Sequence, residues 1–269
     1  MPMDLAAILS SPPSGRVTAV VIDHQQYAQT VILRGRPIPW SDAADYSQFI
    51  GQAQGLLRPD TTLLDLGAFF AHALATDERL RSSLSARNRR GYALKTLLAD
   101  GRTANAALEL ATAVAQTSAA PLVLQIPSPM LWLALTHELS GAGSAADLDS
   151  DSAENAAVYV AEWLRRLSAL PVSVLLLDER WTGAGHLPTV DGASYTPVSN
   201  VTEHYRWALA RRWPERVHII GSTVTGTVVP QDFWRAQAQG VPPSGDFLFA
   251  EIPADAVPET VLSRLGSLS

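Results

Sequence analysis

The chain has 269 residues, 47% of them apolar and 17% charged, with a formal net charge of −6. That size and apolar fraction suffice for one large domain with a buried core, and the acidic balance tells against a nucleic-acid partner. The absence of cysteine excludes a disulfide framework, a thiolate zinc site, an iron–sulfur cluster and a cysteine nucleophile.

Residues 1–15 show no basic segment followed by the apolar stretch of a secretory signal, and "SSPPSG" suits a flexible N-terminal tail. Residues 16–269 are expected to form a single domain. Short apolar runs then recur along the chain. They are Arg16–His24, Thr61–Gly67, Pro121–Ser128, Val172–Arg180, Arg216–Ser222 and Asp246–Pro253. Continuous runs of this length suit strands covered on both faces, as in parallel sheets. "TVILRG" near Thr30 and "TGTVVP" near Thr225 are weaker strand candidates. Between them lie helical stretches: all of Ala68–Ser118, then Ser152–Leu170, Asn200–Arg212 and Pro230–Gln239. No run approaches the roughly 18 apolar residues of a membrane span. A soluble, cytoplasmic protein is the expectation.

Strands alternating with helices imply βαβ units. Eight strands would close a TIM-like (β/α)8 barrel, with a helical insertion after the second strand. Six would form an open, doubly wound parallel sheet. No G-x-G-x-x-G or phosphate-loop motif follows the first strand, so the open sheet lacks its usual nucleotide-binding mark.

In either fold the reacting groups belong at the C-terminal ends of strands. The first strand ends at Asp23, His24, Gln25 and Gln26; the third holds Gln125 and Ser128; the fourth ends at Asp178, Glu179, Arg180 and Trp181. The fifth expected strand carries His218 and ends at Ser222, and the last holds Glu251. A polar group inside an apolar strand is costly without a partner, which singles out His218, Gln125 and Glu251. The bland alternatives are a hydrogen-bonded core histidine for His218, and a cap or turn role for Asp65 and Asp178. Basic "RLRSSLSARNRR" (Arg79–Arg90) could catch an anion, but a solvated helix face explains it as well.

The stretch "PLVLQIPSPMLWLAL" (Pro121–Leu135) runs from a strand through Gln and a Pro-x-Pro-like turn into a helix. It is followed by a helix, "VSVLLLDE", a helix with "HYRW" and then "RVHIIGS". Over Pro121–Pro253 this order resembles the barrels of the uroporphyrinogen decarboxylase and cobalamin-independent methionine synthase superfamily. The resemblance implies a (β/α)8 barrel with its site at the C-terminal mouth. The methionine synthase branch binds zinc through His and Cys, so thiol methylation by that route does not transfer to a chain without cysteine. Where the decarboxylase branch has an arginine motif for porphyrin carboxylates, this chain offers only Arg34 and Arg36.

These features lead to a cofactor-independent lyase, decarboxylating or cleaving a C–C bond in a small organic acid. His24 and His218 would move protons, Arg180 would anchor the carboxylate with Arg34 in reserve, and Asp178 or Glu251 would orient an imidazole. Asp23, Arg34, Gln125, Ser128, Glu179, Trp181 and Ser222 would bind the substrate. Lys95, the chain's one lysine, sits mid-helix and is a poor Schiff-base candidate. No metal motif is present, though Asp178, His218 and Glu251 could hold a divalent ion. The alternatives are a cysteine-free methyl or one-carbon transferase on the same barrel, and a non-catalytic barrel that binds a ligand or partner. A small-molecule partner, no nucleic acid, no membrane and a homodimer complete the expectations.

Overall fold

A computed structural model of the protein describes residues 5–183, 186–235 and 243–268. Eight strands make one sheet: β1 Val20–Asp23, β2 Thr62–Asp65, β3 Leu122–Pro127, β4 Val172–Asp178, β5 Ala208–Arg212, β6 Arg216–Ile219, β7 Thr225–Val229 and β8 Phe247–Glu251. Their order around the sheet follows the chain, with β1 beside β8. The two edges, β1 and β2, are drawn together at Asp60. Its backbone N–H donates to the Val20 carbonyl (3.0 Å) and its carboxylate accepts from the Val20 N–H (2.8 Å). The sheet is therefore a nearly closed barrel, not the open doubly wound alternative.

The strands are mixed. β1–β5, β7 and β8 are mutually parallel, while β6 pairs antiparallel with both neighbours. This corrects the all-parallel (β/α)8 expectation. Trp213 to Glu215 join β5 to β6 directly, so no crossover helix separates them.

Helices flank the parallel part. α1 (Leu5–Ser10) precedes β1; α2 (Gln25–Val31) and α3 (Ala43–Leu57) follow it. α4 (Leu66–Thr76), α5 (Glu78–Leu84), α6 (Tyr92–Ala99) and α7 (Gly101–Thr117) fill the expected insertion between β2 and β3. α8 (Pro129–Leu139) and α9 (Ser150–Leu164) lie between β3 and β4, α10 (Thr196–Tyr205) between β4 and β5, and α11 (Pro258–Ser267) after β8. Between β7 and β8 the described residues hold a 3-10 turn, Gln231–Trp234; the rest of the helix expected over Pro230–Gln239 lies at 236–239, outside the described residues. Among the described residues no helix is long and apolar enough to cross a membrane.

Three further expectations change. "TVILRG" is the end of α2 and its turn, not a strand. The helix read over Asn200–Arg212 stops at Tyr205, where Arg206 takes a left-handed φ of 60° with no glycine to announce it, and the chain then enters β5. Residues 5–10 of the expected flexible tail form α1, whose Ile8 is buried against Val174, Leu176 and Phe249 inside the barrel; residues 1–4 lie outside the described ones.

Strand alternation decides what fills the barrel. Leu63, Val123, Val174, Leu176, Ala210, Val217, Ile219, Phe247 and Phe249 form an interior apolar cluster with Ile8, while the alternate residues pack outward on the helices. Gly226 of β7 leaves room for Phe247: a Cβ there would sit 2.3 Å from its ring. α1 thus closes the N-terminal end of the barrel.

Candidate active site at the barrel mouth

Near the C-terminal ends of six of the seven parallel strands an inward-facing position carries a polar side chain; on β7 the inward residue there is Val228. Register places Asp23 beside Glu251, Asp65 beside Gln125, and Asp178 beside Arg212. Period-two alternation puts all six on the lumen, one step above Leu63, Val123, Leu176, Ala210 and Phe249.

Arg212 holds this layer together. Its side chain is fully buried and reaches across the lumen. One guanidinium nitrogen donates to Asp23 Oδ2 (3.3 Å) and Gln125 Oε1 (3.1 Å), and the other to Glu251 Oε2 (2.7 Å). The group lies 4.1 Å from the Phe249 ring centroid, the apolar floor of the site. Arg180, just beyond β4, donates to both Asp178 oxygens (2.9 and 2.7 Å) and to Glu251 Oε2 (2.9 Å). A planar guanidinium has five N–H donors, and those bonds use three. The Arg180 side chain keeps 26% of its exposure, and two of its N–H groups are left over from those bonds.

Asp65 differs from Asp178 and Glu251. It accepts from Gln125 Nε2 (2.9 Å) and caps α4 through the Ala68 N–H (3.0 Å), and no arginine is bonded to it. Burial pushes its pKa up to about 7, with the nearby Asp23 carboxylate adding to the shift. Asp23 is also raised, first by burial and against the pull of Arg212. Tyr46 of α3, raised well above its usual value by burial and by Asp65 and Asp23, completes the acidic side. Its hydroxyl donates to Gln25 Oε1 (3.3 Å).

Of the residues singled out in the sequence, Asp23, Gln125, Asp178, Arg180 and Glu251 meet in this network. The others do not join it. His24 is buried at the start of α2; neither ring nitrogen has a hydrogen-bond partner among the described residues, and burial lowers its pKa to about 4. His218 sits on β6 between inward Val217 and Ile219, and so points out of the barrel, where its Nδ1 meets Thr225 Oγ1 at 3.5 Å. Ser222 lies in the β6–β7 turn, exposed; because β6 runs backwards, that turn is at the barrel's other end. Arg34 is exposed after α2 at φ 55°. Ser128 caps α8 and accepts from the Tyr195 hydroxyl (3.3 Å).

Glu179 and Trp181 instead line a cleft of about 590 Å³ beside the mouth. There Arg211 donates to Glu179 (2.6 Å) and packs between the Tyr195 and Trp213 rings, 5.0 Å from each centroid. Because His218 faces away from Asp178 and Glu251, these three do not converge as metal ligands. Among the described residues no group of three or more His, Asp or Glu is arranged to hold an ion. Sequence reasoning missed Arg212, Asp65 and Tyr46 as members of the network. No protein-family model, curated protein or solved structure matches the chain.

Proposed function

We propose that the chain is an acid–base enzyme working at the barrel mouth, a cofactor-independent lyase acting on a small organic acid, with Asp65 as its proton carrier. One observation carries this reading: of the four carboxylates that share the mouth, Asp65 is the one held by Gln125 and a helix N-terminus with no arginine bonded to it among the described residues, and burial pushes its pKa up to about 7. A general acid–base works best with a pKa near the working pH. Loss of CO2 from a 3-oxo acid leaves the electron pair of the broken C–C bond delocalised onto an enolate oxygen. The N–H groups of Arg180 left over from its carboxylate bonds would hold that oxygen, and protonated Asp65 would give its proton to the carbon and take another from water. Asp178 and Glu251 orient Arg180, and Gln125 orients Asp65. The residue assignment therefore moves from the two histidines to Asp65. Four carboxylates against two guanidiniums also favour a substrate with a single carboxylate over a polyanion.

A second reading, a barrel that binds without turnover, is favoured by Arg212: its bonds among the described residues are all internal, as expected of a structural lock. The two are separated by offering small monocarboxylic 3-oxo acids, whose decarboxylation leaves an enolate, to wild type, Asp65→Asn and Arg180→Gln. Melting temperature reports binding; product formation reports turnover. The lyase reading expects an acid that is consumed by wild type, with a rate reduced about 100-fold or more in Asp65→Asn. Binding without consumption supports the second reading, and unchanged turnover in Asp65→Asn overturns the first.

A further inference from the structure

A basic stretch of the sequence remains outside the barrel mouth. Residues 79–95 hold six of the chain's 20 Lys and Arg residues and no Asp or Glu, in a protein of net charge −6. Folded as α5, its turn and α6, this stretch borders a cleft of about 530 Å³ into which Arg79, Arg87, Arg89, Arg90 and Lys95 are gathered. Asp100 is the one carboxylate on its wall, and Arg79 already bonds to it (3.1 Å). Arg90 is paired with Asp149 (3.4 Å). Arg87, Arg89 and Lys95 have no carboxylate partner among the described residues.

Aromatic rings form the other walls. The Arg87 guanidinium lies 5.6 Å from the Tyr92 ring centroid, and the Lys95 ammonium 5.6 Å from that of Tyr159. The turn between the helices packs against the Tyr159 wall. Gly91 adopts φ 76°, a conformation other residues rarely take, and a Cβ there would lie 3.2 Å from the Tyr159 ring. Gly91 also leaves the start of α6 without a side-chain cap, and the Tyr92 N–H donates instead to the Arg89 carbonyl (3.0 Å).

We propose that this cleft binds a small anion carrying two or more phosphate groups. Three uncompensated cations held together repel one another unless an anion joins them, and guanidinium and ammonium groups both suit phosphate oxygens. The concave volume falls within the range of small-molecule sites, which fits a compact ligand and not an extended polymer or a lipid surface. The site shares no residue with the barrel mouth, so it stands whether or not the lyase reading does.

Inorganic pyrophosphate is the probe, titrated calorimetrically into the full chain and into Arg89→Glu/Lys95→Glu, Lys95→Gln and Arg166→Glu. Both targeted residues are exposed, and Arg166 is an exposed cation elsewhere. Melting temperatures of the variants without ligand check folding. The expected result is saturable binding to wild type and Arg166→Glu, weakened by rising salt, several-fold weaker in Lys95→Gln and at least about tenfold weaker in the double variant. Equal affinity in a folded double variant would overturn the proposal. So would binding no better than that of sulfate at equal ionic strength, or binding to RNA or anionic vesicles without any to pyrophosphate.

Discussion

The two ends of this barrel are built from the same strands and solve opposite problems. At the N-terminal end α1 inserts Ile8 among Val174, Leu176 and Phe249, and the space is filled with apolar atoms. At the C-terminal end the same alternation presents Asp23, Asp65, Gln125, Asp178, Arg212 and Glu251, joined by charge-assisted bonds. The floor is held by burial, which depends little on pH. The mouth is held by ion pairs and carries carboxylates of unusual pKa, so pH acts there.

Removing the keystone of each end measures the difference. Arg212→Ala leaves Asp23, Gln125 and Glu251 without their shared donor and should cost about 3–5 kcal/mol, read by urea denaturation. Ile8→Ala removes apolar atoms from the floor and should cost about 2–3 kcal/mol, the surroundings relaxing partly because α1 is short. If Ile8→Ala proved the more damaging, the arginine would not be what holds the mouth.

Proton linkage sharpens the contrast. Asp65 has a folded pKa of about 7 against an ordinary 3.8, so the fold favours its protonated form. That contribution is full below about pH 4 and is lost as pH rises through 7. Asp65→Asn, which cannot ionise, should gain in melting temperature relative to wild type as pH climbs from 4 to 7, then hold steady. His24 works in the other direction. Its folded pKa of about 4 lies below the ordinary 6.5, so wild type loses stability as pH falls through that interval. His24→Gln should therefore gain on wild type towards acid, whatever its offset at neutrality. At the small end, Glu162→Ala breaks only an exposed pair with Arg165 and should move the melting temperature by no more than about 1 °C.

How much of this was legible follows from the kind of signal each element leaves. β1 to β4 and β8 are continuous apolar runs, and the helical stretch between β2 and β3 is amphipathic, so both were readable. β5 was not. "WALARRW" continues the helix before it in composition, and the turn that separates them is made by Arg206 at positive φ without a glycine. Losing β5 hid Arg212, since two adjacent arginines on a supposed helix read as solvated. The signal available was the alternation Ala208, Ala210, Arg212, which puts one arginine on the same face as two small residues. His218 misled for the related reason that a strand histidine draws attention, but only the reversed direction of β6 and the inward Val217 and Ile219 show which way it faces. Asp65 was visible as a helix cap, and it is one. Its proximity to Asp23 depends on barrel closure at Val20 and Asp60, a contact between distant residues that no local pattern encodes.

Asp65 is expected to carry a proton near neutrality while lying at the mouth. This is tested most directly by following aspartate side-chain carboxyl carbons by NMR across pH 3 to 9, with the Asp65 resonance assigned by its absence in Asp65→Asn. The expected midpoint is about 7. A midpoint near the ordinary 3.8 would contradict it and leave the mouth as a structural ion network.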